Sequence, residues 1–151
     1  MTYDLRVVEI APQLTAVIRG QAAAEKLSSV IPAACGEVWQ YMKAAGHPKP
    51  GHNVALYLDG TVTFEAGAEV SAAFLPGPKV FCSQLPGGTV ATVTHVGDYQ
   101  LAPAHQAIRN WCGANGRSST LNWEIYGHGT DDPAKIRTDL FYLLELATGE
   151  R

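Results

Sequence analysis

Charge is scarce in this chain. Only 17% of its 151 residues are Asp, Glu, Lys or Arg, the formal net charge is -3, and no basic run occurs. Duplex DNA and anionic membrane surfaces therefore have no electrostatic partner here, and no direct nucleic-acid or membrane contact is expected. No apolar run approaches the roughly 20 residues that cross a bilayer, and no charged-then-apolar leader opens the sequence, so a cytoplasmic protein is expected. The three cysteines, Cys35, Cys82 and Cys112, are odd in number and lack metal-type spacing. They read as reduced thiols, with Cys112 in the core. His47, His52, His95, His105 and His128 show no i, i+4 pair on one helix and no cysteine partner, which leaves no metal site to expect. Ser118 and Ser119 lie in no nucleophile-elbow pattern, and Gly87-Gly88 lacks the lysine and hydroxyl of a phosphate loop. Motifs therefore name neither a catalytic residue nor a cofactor.

What the chain has is apolar residues and a repeat. With 46% hydrophobic residues, its length suits one domain with a sizeable core, spanning 1–151. The second half rewrites the first. Each copy has a strand ending near glycine (Leu14 to Gly20; Thr89 to Gly97). A helix follows, stopping at Gly46 or Gly116 and placing Tyr41 and Trp111 at equivalent positions. Next comes a strand ending in Tyr57 or Tyr126, and then a last strand carrying Phe64-Glu65 or Thr138-Asp139. The copies span 4–74 and 79–147, joined by Leu75-Pro76-Gly77-Pro78, a rigid linker that no helix accommodates.

Local signals supply the elements. Asp4 to Ile10 and Leu14 to Gly20, broken at Pro12, read as a hairpin. A helix is predicted from Ile31-Pro32 to Ala45, with proline in its first turn and Gly46 as C-terminal cap. Asn53 to Leu58 and Thr61 to Phe74 flank the turn signal Asp59-Gly60. In the second copy, Val80 to Leu85, the turn Pro86-Gly87-Gly88 and a strand to Gly97 precede a helix from Leu101 to Ala114. Strands Leu121 to Tyr126 and Ile136 to Leu146 close it, joined through a mobile turn at Gly127-His128-Gly129. The order, strand, strand, helix, strand, strand twice over, implies an α+β fold with helices packed on antiparallel sheet.

The copies differ at one telling position. Glu124 stands in Trp123-Glu124-Ile125-Tyr126, where the first copy has Ala55 in Val54-Ala55-Leu56-Tyr57. Its side chain points with Asn122 and Tyr126, opposite to Trp123 and Ile125. A carboxylate beside aromatic rings attracts an organic cation, to which the rings add about 0.5–2 kcal/mol each. An exposed strand glutamate is the plain alternative. Asp139 and Glu65 hold matching places on the last strands and are expected near the same groove, although Asp139 could instead pair with Arg137 or Lys135 at the surface. Tyr41, Trp111, Tyr57, Tyr126 and Trp39 divide between core and the walls of an apolar pocket.

Leu85-Pro86-Gly87-Gly88, Thr94-His95-Val96-Gly97-Asp98-Tyr99, Trp123-Glu124-Ile125-Tyr126, Asp132-Pro133 and Arg137-Thr138-Asp139 follow one another in an order that resembles the GyrI-like small-molecule-binding domain. That is the effector-binding module of multidrug-sensing bacterial transcription regulators, and it also occurs standing alone. The first copy fits as the degenerate half, through Val8-Glu9-Ile10, Trp39 and Tyr57-Leu58-Asp59. The resemblance covers nearly the whole chain. It implies two pseudo-twofold modules with a groove between them, in which Glu124 contacts lipophilic cations. Asp139 is the second implied contact, with a shorter reach than the glutamate frequent there. In its stand-alone form such a module implies a binder of cationic aromatic small molecules, a hydrolase of cyclopropane-bearing alkylating agents using Glu124, or a module for a protein partner. No cofactor is implied.

Overall fold

The computed structural model describes residues 3–59, 63–127 and 132–145. Ten β-strand and α-helical elements follow one another in two identical series. The first copy has β1 (Arg6–Ile10), β2 (Gln13–Gln21), α1 (Leu27–Ala44), β3 (Asn53–Tyr57) and β4 (Thr63–Glu69). The second has β5 (Phe81–Leu85), β6 (Gly88–Val96), α2 (Ala102–Ala114), β7 (Asn122–Tyr126) and β8 (Arg137–Leu143). All eight strands form one antiparallel sheet in the order β1-β6-β8-β7-β3-β4-β2-β5. The α+β expectation holds. Leu75 to Pro78 connects β4 to β5. Gly60, His128, Gly129 and Leu146, which the sequence reading placed in turns or in the last strand, lie outside the described residues.

Neither expected opening hairpin forms. β1 pairs with β6, and β5 pairs with β2, so each copy lends its first strand to the other. At Pro12 and at the Pro86-Gly87 step the chain crosses over instead of folding back. The two crossings touch: a Cβ on Gly87 would lie 2.6 Å from Pro12 Cδ and 3.2 Å from the Ile10 carbonyl. Glycine is required there by this close approach. The first helix also differs from expectation. It starts at Leu27 after a short 3-10 turn, which puts Pro32 in its second turn on the exposed side. The helix tolerates this because the hydrogen bond that Pro32 cannot donate is lost on a face open to water.

The two faces of the sheet differ. Side chains alternate between faces along a strand and agree across paired residues. One face carries Ala55, Tyr57, Phe64 and Ala66 beneath α1, and Ala91, Val93, Leu140 and Tyr142 beneath α2. The helices meet it with Ile31, Ala34 and Cys35 from α1, and with Ala104, Ile108 and Cys112 from α2. The other face buries Val54, Leu56, Leu85, Val90 and Trp123, whose ring stacks on Phe141 at 5.7 Å. Cys112 is a core residue as expected, and among the described residues all three cysteines are free.

Gly87→Ala is expected to destabilise the fold by about 1–3 kcal/mol, since a methyl group must be forced between two crossing backbones. Gly36→Ala supplies the contrast, because nothing beyond its chain neighbours and its own helix backbone lies within 4 Å of an added Cβ. There the helix interior should gain about 0.5–1 kcal/mol. Urea midpoints of both variants check this; a harmless Gly87→Ala would contradict the crossing.

Candidate functional site

The copies meet where β3 lies beside β7. Asn53 pairs with Tyr126, Ala55 with Glu124, and Tyr57 with Asn122. Both strands read Asn, apolar, Ala or Glu, aliphatic, Tyr, so the centre of the pseudo-twofold falls at the Ala55–Glu124 pair. Glu124 therefore sits in mid-sheet, on the face between the two helices, and is 5% exposed. Three groups hold its carboxylate. The Tyr126 hydroxyl donates to Oε1 at 2.5 Å and the Tyr57 hydroxyl to the same oxygen at 3.3 Å. His105 Nε2 lies 2.6 Å from Oε2. On its other side, His105 Nδ1 is 2.7 Å from the Tyr142 hydroxyl, with the two rings edge to face. Tyr99 completes the cover from the loop after β6, its ring meeting that of Tyr126 in a T shape at 6.1 Å.

Local sequence explains each position. Tyr57 and Tyr126 end their strands two residues from the central pair, on the same face, so both hydroxyls converge on one oxygen. His105 follows Ala104 on α2, at the margin of the buried stripe Ala104, Ile108 and Cys112, and so reaches sideways to β7. The equivalent residue of α1 is Cys35, whose thiol instead points to the Val54 carbonyl at 3.9 Å. The acid of copy two thus comes with a base, while copy one has neither.

Electrostatics follow from burial. Burial raises the pKa of the Tyr57 hydroxyl, and the neighbouring Glu124 carboxylate raises it further. Burial pushes Tyr126 well above the usual tyrosine value, with Glu124 and then Tyr57 adding to the effect. Two neutral donors facing one carboxylate are mutually consistent, because ionising either tyrosine would set two anions side by side.

The eight residues singled out from sequence do not converge. The structure brings Glu124, Tyr57 and Tyr126 together. Glu65 and Asp139 lie on the opposite face, so the expectation that both approach Glu124's groove is corrected. Glu65 pairs with Leu56, and Asp139 with Ile125, residues whose side chains point away from the helices. Glu65 is buried against Arg19 at 2.5 Å and Ser83. Asp139 accepts from Thr94 at 2.6 Å and from Arg137 at 3.3 Å, the surface pairing named as its alternative. Both sit one residue out of phase with the acid's face. Tyr41 packs against Val38 and Met42 and covers the linker at Gly77. Trp111 packs against the α2 core. Trp39 donates through Nε1 to Asn53 at 2.6 Å.

Three site residues escaped the sequence reading: His105, Tyr142 and Tyr99. His105 was weighed only as a metal ligand, and its place as the counterpart of Cys35 was the available signal. Tyr142 lies on the same face as Leu140 and Leu144, within the apolar cluster under α2.

An open cleft of about 860 Å³ adjoins the site, a volume suited to a small molecule. Tyr142 and Asn122 form its floor, and Arg109 and Arg117 its wall. In the first copy Trp39 stands at the position equivalent to Arg109 and engages Asn53, the counterpart of Asn122. Glu124 does not line the cleft; Tyr142 and His105 stand between. Among the described residues no cluster of His, Cys, Asp and Glu could hold a metal ion. No helix among them is long and apolar enough to cross a membrane.

A single antiparallel sheet built from two such copies, with both helices on one face, is the GyrI-like fold. Its similarity to solved structures covers nearly the whole chain. The EcmrR C-terminal domain matches at 22% identity with a TM-score of 0.80, over 96% of this chain and 99% of that one. EcmrR in complex with DNA matches at 23% identity and 0.76, over 95% of this chain but 57% of that one. SAV2435 bound to tetraphenylphosphonium matches at 12% identity and 0.63, over 96% and 94% of the two chains. No family model matches the sequence, and no curated protein matches it.

Alkaline pH tests the tyrosine pair. Because both hydroxyls have pKa values raised above the ordinary value of about 10, the folded chain keeps protons that the unfolded chain gives up. Their contribution to stability is complete below about pH 10 and is lost as pH rises beyond it. Cys35, whose thiol burial pushes up to about 11, adds in the same sense from its lower ordinary value. Denaturant midpoints should fall above about pH 10, and less steeply in Tyr126→Phe. Equal slopes in the two proteins would contradict the arrangement.

Proposed function

We propose that the chain binds lipophilic, cationic aromatic small molecules, with Glu124 as the anionic contact and Tyr57, Tyr126 and Tyr99 as aromatic walls. One observation carries this reading: a carboxylate in mid-sheet, 5% exposed and ringed by tyrosines, where the pseudo-symmetric position is alanine. Burying a carboxylate costs free energy unless it is paired. A carboxylate kept there among aromatic rings suits a cation, since charge supplies attraction and ring faces add to it. Tetraphenylphosphonium, bound to SAV2435, is a cation of this kind and the natural probe. A role as effector module for transcription regulation accords with the match to EcmrR, whose DNA-bound chain extends beyond the matched part.

The chain of contacts from Glu124 through His105 to Tyr142 favours a second reading, hydrolysis of a strained alkylating agent, with Glu124 positioning or deprotonating water. A protein partner is the third. The same experiment separates them.

Titration of tryptophan fluorescence with tetraphenylphosphonium and with neutral triphenylphosphine oxide, on wild type and Glu124→Gln, decides. The cation should bind saturably and in preference to the neutral compound, and the substitution should weaken it by about ten-fold or more, some 1.4 kcal/mol. Product formation from an electrophilic substrate, lost in Glu124→Gln, would transfer the role to hydrolysis. Absence of any small-molecule binding would leave the protein partner.

A further inference from the structure

We propose that His105 is the site's own occupant: it fills the place at Glu124 that a ligand cation takes, and thereby selects which ligands enter. This rests on the binding reading above and deepens it.

Each oxygen of the carboxylate has a separate duty. Oε1 accepts from both tyrosine hydroxyls, whereas Oε2 is held by His105. A cation approaching Oε2 meets the imidazole, since the His105 and Glu124 side chains are 14% and 6% exposed and 2.6 Å apart. Entry is therefore an exchange. The imidazole has somewhere to go, because its Nδ1 is tied to Tyr142, which floors the open cleft beside Arg109. Turning about that contact would carry His105 out of the acid's pocket and toward water. Copy one supports the pairing by contrast: where the acid is Ala55, the helical residue is Cys35.

The exchange selects for charge. A lipophilic cation replaces the lost imidazole contact to Glu124 with a charge, whereas a neutral aromatic molecule that expelled His105 would leave the buried carboxylate with the tyrosine hydroxyls alone. It also makes affinity depend on pH, because a histidine changes charge between about pH 5 and 8. Protonated, the imidazolium competes well for the carboxylate; neutral, it competes less. Cation affinity is therefore expected to rise with pH. His105 faces Glu124 from β7 and Tyr142 from β8, and Tyr126 from β7 and Tyr57 from β3 meet the same carboxylate. Arg109 and Cys112 share its helix. β6, which also lies under α2, contributes His95, engaged with Tyr3 at 2.8 Å and with the Asp98 carbonyl at 2.7 Å.

The test measures tetraphenylphosphonium affinity at about pH 5.5 and about pH 8 for wild type, His105→Ala and His105→Gln. Thermal melts establish that each variant is folded. A self-occupied site binds more weakly by the fraction that is free, so His105→Ala should bind about ten-fold tighter than wild type at the lower pH. Wild-type affinity should rise with pH, while both variants stay flat. His105→Gln keeps an N–H donor and the side-chain bulk without a titrating charge, so it is informative if the alanine variant unfolds. Weaker binding in folded variants, or a pH dependence that survives the substitutions, would overturn the proposal and leave the binding reading intact. Absence of binding by all three proteins at both pH values would overturn the binding reading and this inference with it.

Discussion

The pairing of β3 with β7 is the constraint on which the molecule depends. It is the seam between the copies, and its register sets Ala55 opposite Glu124 at the centre of the sheet. Because side chains alternate strictly along a strand, a shift by one residue would turn Glu124 into the apolar layer of Trp123, Leu56 and Val54. The same shift would part the acid from Tyr57 on β3, while Tyr126, two residues along the same strand, would move with it. Trp123, 1% exposed and stacked on Phe141, is thus more than filler. Its burial on the far face pins the register that presents the carboxylate on the near one.

The exchanged outer strands reinforce that seam. β1 lies on β6 and β5 on β2, so neither copy completes its own half of the sheet. The halves are tied at the centre by β3 and β7 and again through the lent strands, whose connections touch at Pro12 and Gly87. This doubly fastened frame lets one buried charge be held in mid-sheet, where its desolvation must be offset by three well-placed partners.

Much of this was legible in the sequence. Element order, the one-sided acid and the shared face of Glu124 and Tyr126 follow from period-two alternation and from comparing the copies. Strand partners were not legible. Pro12 and Pro86-Gly87 signal a change of direction equally well for a hairpin and for a crossing, and only the tertiary contact between them decides. The misplacement of Glu65 and Asp139 has a simpler cause. Matching positions in two repeats establish equivalence, not the face, and counting residues from the paired Ile125 and Leu56 is what reveals it. His105 stayed hidden because helical periodicity marks it as a margin residue, and its partner lies 19 positions away on another element.

The covalent fusion of the copies has a consequence for how such a site can arise. A symmetric pair of separate, identical chains would place the same residue on both sides of the seam. With glutamate there, two carboxylates would stand directly across from one another, a juxtaposition that like charges disfavour. With alanine there, the acid would be lost altogether. Joining the copies through Leu75 to Pro78 frees each side to mutate alone, so a single charge can occupy an axis that symmetry would have left empty or doubly charged.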